Sequence, residues 1–197
     1  MAREQWFEDF SFRGTRPYVH STSICNHLQA KFGAVTQFDM TLKLWMAARV
    51  VFWTDGEADS LPPDGLSPKA NFSFTGEDGA RVYGFMTDDP AHPTLTRQPY
   101  DEDALMADAT VTDRVMTCPP GAGGTITERM VAANKQLILR VLKPGVKLIA
   151  SKLSFDQFLP DDATFQMRLD SHLGTRIFKS SLLSQGQKIG EFVYYGQ

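Results

Sequence analysis

Cysteine is nearly missing from this chain. Two in 197 residues, Cys25 and Cys118, cannot build a disulfide framework, so a packed core must hold the fold, and free thiols in a reducing cytoplasm are expected. Basic excess is missing too. A net charge of −3 and an isoelectric point of about 5.8 argue against a nucleic-acid partner. No apolar run approaches the length of a membrane span. The first ten residues, MAREQWFEDF, carry charge and no apolar centre, so no signal peptide is expected. Cys25 and His27 stand two apart on an expected helix and cannot face each other, so no metal or other cofactor is expected. A hydrophobic content of 42% is ordinary for a globular protein. The length fits one large domain or two small fused ones. The class is a soluble, cytoplasmic α+β protein.

The clearest periodicity lies in residues 38–52. Phe38, Met40, Leu42, Leu44, Met46, Ala48, Val50 and Phe52 take every second position. A period of two over this length predicts one long half-buried strand, bulged near Ala47 and Ala48. Trp45, Arg49 and Trp53 share its other face, and cover on both sides is expected if that face is apolar as well. The polar run TDGEADSLPPDGLSP reads as a loop. ANFSFT, the turn Gly76-Glu-Asp-Gly79 and ARVYGFM read as a hairpin. TDDPAHPTLTRQPYDEDA is rich in proline and acids and reads as loop and linker, with Asp101, Glu102 and Asp103 as a solvated charge run and His92 in solvent. The expected division is 1–90, a linker at 91–104, and 105–197.

The most informative stretch is CPPGAGGTITERMVAANKQLILRVLKPG, residues 118–145. A glycine-rich loop enters a helix expected from Ile126 to Leu142, with Thr125 or Thr127 as N-cap and Pro144-Gly145 as the stop. Ile126, Met130, Ala133, Leu137 and Val141 share one face, widened by Ile138, Leu139 and Leu142, which predicts a helix wrapped by sheet. Strands follow: KLIASKLSFDQFL, ATFQMRLD, and the hairpin TRIFKSSLL–KIGEFVYYG across Ser184–Gln187. The first half echoes this order weakly, with a short helix over 21–32, a long strand, and GARVYGF answering GTRIFKS about 95 residues on. The loop 118–125 has the shape of a phosphate-binding loop without its first glycine or its lysine, so nucleotide hydrolysis is not expected. Cys118 lies near a helix start, where a thiolate is favoured, but two prolines separate it from the helix and a buried thiol is the plainer expectation.

The segment Glu128-Arg-Met-Val-Ala-Ala-Asn134 resembles the central helix of the β-hydroxyacyl-carrier-protein dehydratases. There a glutamate is followed by methionine and by small residues that let the sheet approach. The strands after it, and the corner Phe158-Leu-Pro-Asp-Asp162, resemble that family's second half. The resemblance covers residues 118–197. It implies an α+β hotdog fold, an antiparallel curved sheet wrapped around a long central helix, and the echo between halves makes it a double hotdog. It also implies action on acyl thioesters of CoA or acyl carrier protein, with edge-to-edge pairing into a homodimer. The family's histidine segment has no counterpart here, because Thr117-Cys-Pro-Pro-Gly-Ala-Gly-Gly124 holds no histidine.

In fused double-hotdog dehydratases, the resemblance implies, one half supplies the histidine and the other the acid. His20 and Glu128 fit that division. Imidazole can take a proton α to a thioester carbonyl, and a carboxyl group in an apolar pocket can hold one to donate. Tyr18, Gly123, Gly124, Thr125 and Asn134 are expected to bind or orient substrate, and N–H groups at the helix start to hold the thioester oxygen. The expected reaction is dehydration, hydration or isomerisation. Two alternatives stand beside it: thioester hydrolysis, and a non-catalytic protein that holds an apolar or acyl ligand. For the two key residues the plainer reading is local: His20 capping Ser21–Ser23, and Glu128 favouring the helix dipole.

Overall fold

The computed structural model describes residues 4–55, 67–121 and 123–197. The chain falls into two compact units, Met1–Tyr100 and Asp101–Gln197. Most of the polar run expected as a loop at 54–68 lies outside the described residues, and no helix among those described is long and apolar enough to cross a membrane.

The first unit holds β1 (Glu4–Glu8), β2 (Phe12–Arg13), α1 (Ser21–Phe32), β3 (Thr36–Leu42), β4 (Ala48–Asp55), β5 (Ala70–Thr75), β6 (Arg81–Pro93) and β7 (Arg97–Gln98). Five strands form an antiparallel sheet in the order β1-β4-β6-β5-β3, and β2 pairs β7 in a short parallel bridge. Ile24, Cys25 and Leu28 are the apolar side of α1 and are buried. Aromatic rings fill the space between helix and sheet. Trp6 stacks on Phe52 at 4.9 Å, His27 of α1 lies 5.1 Å from Phe52, and Phe32 lies 4.7 Å from Phe74. Each fully buried phenylalanine contributes roughly 1.5–3 kcal/mol. Gly84 makes the close packing possible, since a Cβ there would stand 2.2 Å from Phe72 Cζ and 2.6 Å from the Trp53 carbonyl oxygen.

One expectation fails here. The long strand over 38–52 is two strands, β3 and β4, which do not pair with each other. Residues 43–47 bend away because their backbone finds other partners: Lys43 N and Leu44 N both donate to the Lys69 carbonyl, and the Met46 carbonyl accepts from Val19 N. Alternation records which side chains are apolar and not which backbone pairs with which. Trp45 therefore lies outside the strand, 42% exposed, stacked on Tyr18. Val51 and Trp53 are buried along with Val50 and Phe52, so β4 is covered on both faces. The proline-rich stretch is also more regular than expected. Residues 87–93 continue β6, β7 lies within the expected linker, and α2 (Glu102–Leu105) begins in it and ends one residue past it.

The second unit holds α2, β8 (Thr110–Thr112), β9 (Val115–Cys118), α3 (Ile126–Leu142), β10 (Leu148–Gln157), β11 (Phe165–Leu173), β12 (Ile177–Ser184) and β13 (Gln187–Gly196). Its strand order is β10-β13-β12-β11-β9-β8, antiparallel throughout. The β12–β13 turn has positive φ at Gln185 and Gly186, the geometry that matches strand twist in a two-residue hairpin. Helix α3 packs on β9, β11 and β12. Its first half is buried around the whole circumference, with Met130, Ala132, Ala133 and Asn134 at 0% exposure, and Leu137 and Ile138 continue the buried face beyond it. Tyr194 of β13 donates its hydroxyl to the Val131 carbonyl at 3.0 Å. Lys143 ends the helix in the left-handed region, and Pro144 supplies no N–H to continue it. The acids at 101–103 are not merely solvated. Asp101 caps α2, Glu102 pairs with Lys135, and Asp103 accepts from Gln136, so α2 is tied to α3.

Candidate functional site

The entry to α3 is built by local sequence. Thr125 is the N-cap, extended at φ −79° and ψ 162°. Its hydroxyl accepts from Glu128 N at 3.3 Å, and Glu128 Oε2 accepts from Thr125 N at 2.9 Å, a reciprocal capping box. Gly124 has φ +67°, and a Cβ there would stand 2.8 Å from Glu128 Oε2 and 2.7 Å from Leu105. Glycine at this position lets the carboxylate lie against the backbone. Gly123 faces open space. Glu128 is 5% exposed, so a carboxylate is held at the rim of an apolar core.

Two residues that sequence reasoning passed over complete this corner. Asp161 Oδ1 accepts from Ile126 N at 2.7 Å and caps the helix from 35 residues away. Arg129, 1% exposed, donates to the carbonyls of Asp161 at 2.9 Å, of Ala163 at 3.4 Å and of Pro119. It also lies over the Phe165 ring at 5.4 Å. The pair ties the loop after β9 to the turn before β11. The one visible signal was the corner Phe158–Asp162 itself.

These bonds revise one expectation. The N–H groups of Thr125, Ile126 and Glu128 already have acceptors. A thioester oxygen at the helix start cannot use those three without displacing a cap. Cys118 ends β9 at 1% exposure, and burial pushes its thiol up to about 12, far from a reactive thiolate.

Asn134 lies roughly 9 Å along α3 from Glu128, six residues at the helical rise. It is fully buried, and neither its Oδ1 nor its Nδ2 has a hydrogen-bond partner. Thr127, also fully buried, has an unpartnered Oγ1. Thr127 is too near the helix start to donate to a carbonyl four residues back within the helix.

In the first unit, Tyr18 and His20 lead into α1. The Val19 N–H between them is fixed to the Met46 carbonyl at 2.7 Å. His20 occupies the N-cap position of α1, but its side chain caps no backbone group. Its Nδ1 lies 2.7 Å from Thr22 Oγ1 and its ring is 5.1 Å from that of Tyr100. The imidazole is 5% exposed and held by a hydroxyl and a ring. Gly123, Gly124, Thr125 and Glu128 are thus gathered at one helix start, with Asn134 deeper on the same helix. Tyr18 and His20 share one entry segment.

No protein-family model matches this chain, and no curated protein matches it by sequence. Solved structures do. A tesB protein of Mycobacterium avium subs paratuberculosis is similar over 98% of this chain and 93% of its own, with 10% identity and a TM-score of 0.53. The 12:0-ACP thioesterase of Umbellularia californica is similar over 99% and 97%, with 8% identity and a TM-score of 0.51. The dehydratase domain of a mycocerosic acid synthase-like PKS is similar over 99% and 91%, with 12% identity and a TM-score of 0.50. At such identities the likeness concerns the fold. Each unit contains the same run of elements, two strands, a helix and four further antiparallel strands, and the chain accordingly has the hotdog fold in its double form.

Proposed function

We propose that this chain is an enzyme of acyl thioesters carried on CoA or acyl carrier protein, with Glu128 and His20 as its acid-base groups. The observation that carries the proposal is the buried carboxylate of Glu128, fixed by the capping box at the start of a core helix. The named thioesterase and dehydratase domain among the similar structures support the substrate class. In the dehydration direction, His20 takes the proton α to the thioester carbonyl. The C–O bond at the β carbon breaks, Glu128 delivers a proton to the departing hydroxyl, and water leaves. With Thr22 Oγ1 as acceptor, Nδ1 carries the hydrogen of the neutral ring and Nε2 is the base. Tyr18, Gly123, Gly124 and Thr125 bind the thioester end. Hydration runs the same steps backwards.

Hydrolysis is the second reading, supported by the likeness to the 12:0-ACP thioesterase, with Glu128 as the base that orients water. Enoyl-CoA and saturated acyl-CoA thioesters offered to the purified protein separate the readings. Glu128→Gln keeps an oxygen for Thr125 N and removes the charge. Loss of enoyl absorbance that disappears in Glu128→Gln and falls at least a hundredfold in His20→Gln supports hydration. Thiol release that disappears in Glu128→Gln supports hydrolysis. Turnover that survives Glu128→Gln overturns the assignment of Glu128 as the catalyst, and no turnover with any thioester overturns it too and favours a binding protein.

A further inference from the structure

The start of α1 gives up what the start of α3 keeps. At α3 the N-cap threonine and Glu128 cap each other's backbone. At α1 the N-cap is His20, whose side chain bonds no backbone N–H, although serine, threonine, aspartate or asparagine would do so at this place. A side chain that departs from the local rule at the expense of its helix answers another demand.

The imidazole is instead held at one edge and on one side. Its Nδ1 lies 2.7 Å from Thr22 Oγ1, and the centre of the Tyr100 ring lies 5.1 Å from its own. The bond from Val19 N to the Met46 carbonyl fixes the backbone just before it. Thr22 is itself fully buried. A β-branched side chain in a helix has few rotamers, and what usually draws a threonine hydroxyl away is a carbonyl three or four residues back in the same helix. Thr22 is the second residue of α1, so the helix holds no such carbonyl. Nothing within α1 competes with His20 for the hydroxyl in this way.

We infer that Thr22 is a positioning residue: its hydroxyl accepts from His20 Nδ1, holds the neutral ring in the Nδ1–H form, and so keeps Nε2 as the nitrogen that takes the proton. The inference rests on the acyl-thioester reading for what the ring does, and goes beyond it in naming the group that prepares the ring. The direction of the bond matters. A neutral ring that receives a hydrogen bond at Nδ1 carries its own hydrogen on Nε2 and has no nitrogen left to act as base. A ring that donates from Nδ1 keeps the same bond before and after Nε2 is protonated, because both nitrogens of the imidazolium are donors. The bond then needs no rearrangement while the proton moves. Burial of both partners keeps water from replacing the hydroxyl.

The test uses the full chain, isotopically labelled at the histidine ring nitrogens. Magnetic resonance spectra that correlate these nitrogens with the carbon-bound ring protons tell the two neutral forms apart, at a pH about two units above the ordinary imidazole value. His20→Gln identifies the His20 signals among those of the four histidines. Wild type and Thr22→Ser are expected to show the Nδ1–H form, and Thr22→Val a shift towards the Nε2–H form. With the thioester that the wild type turns over, Thr22→Val is expected to lower kcat by about tenfold or more with KM within about twofold, and Thr22→Ser to recover most of the loss. A threonine that served packing alone would change the melting temperature and leave the tautomer as it was. Hydrogen on Nε2 in the wild type overturns the inference without any variant. An Nδ1–H form that persists in Thr22→Val, or a kcat that this change leaves intact, also overturns it. A tautomer that follows Thr22 in a protein that turns over no thioester overturns the acyl-thioester reading and leaves the hold of Thr22 on the ring standing.

Discussion

Removing the guanidinium of Arg129 tests whether the corner that holds Glu128 is assembled as described. Arg129→Met keeps the length and apolar stem and deletes the charged fork. Three carbonyls, of Pro119, Asp161 and Ala163, lose their donor. Charged hydrogen bonds contribute about 1.5–3 kcal/mol each, so two good ones amount to about 3–6 kcal/mol. Part of this is offset, because a buried cation carries a desolvation penalty of several kcal/mol that methionine does not. The expected net loss is about 2–3 kcal/mol, which for a chain of this size is a fall of about 5–10 °C in melting temperature. Scanning calorimetry gives that number. Thiol labelling gives its location, since Cys118 adjoins Pro119 and should react faster in the variant while Cys25 should not. Arg129→Lys should fall between the two, because an ammonium cannot span three carbonyls as a planar fork does. An unchanged or raised melting temperature for Arg129→Met would refute the reasoning, showing that desolvation outweighs the bonds and that the loop is held by something else.

Other expectations follow from particular contacts. The Cys118 thiol is pushed by burial from 9.0 up to about 12; the folded chain keeps this proton when the unfolded chain has lost it, so the contribution is intact below pH 9 and is lost as pH rises from about 9 towards 12. Burial pushes the Cys25 thiol up as well, so urea titrations should show stability falling by about 2–4 kcal/mol between pH 9 and 10.5, and Cys118→Val should remove about half of that fall. Burial holds His27 below the usual imidazole range against the opposing charge of Glu8, and its Nε2 accepts from Trp6 Nε1 at 2.9 Å. Protonation removes that acceptor, so stability is lost as pH falls through the ordinary imidazole range, and tryptophan fluorescence should titrate with a midpoint below 6.5 that vanishes in His27→Gln. Gly84→Ala should cost about 1–3 kcal/mol or more, since its new methyl meets both Phe72 and the Trp53 backbone; a melting temperature within 2 °C of wild type would show that β6 shifts freely.

Local chemistry in the sequence foretold local structure well. The helices over 21–32 and 126–142 stand where spacing and stop signals put them. Of the two expected N-caps the structure uses Thr125, and Glu128, expected to favour the helix dipole, completes a capping box with it. Partners distant in sequence were not legible. Asp161 as a cap for Ile126, and Arg129 as a strap to residues 119, 161 and 163, depend on chain segments that only the fold brings together. The split of the 38–52 strand has the same cause, since the bend depends on Lys69 and Val19. Asn134 was visible as a polar residue in an apolar helix, but nothing in the sequence said that both ends of its amide go unmet.

The echo of GARVYGF and GTRIFKS has an outcome in space. Numbered from each helix, the four strands run first-third-fourth-second across the sheet in the first unit and first-fourth-third-second in the second. GARVYGF leads into β6, the fourth strand, and GTRIFKS into β12, the third, yet both lie beside the second strand. The place was kept and the order in which the chain visits it was exchanged. Timing follows from this. In the second unit, β11, β12 and β13 are successive hairpins whose pairing closes only short loops. In the first, β4 must wait for β6, across the whole of β5 and the segment before it. Short closures are entropically cheaper and faster. The meander of β11, β12 and β13 is thus the quickest part to form, while β10 waits for β13 across two strands as β4 waits for β6 across one.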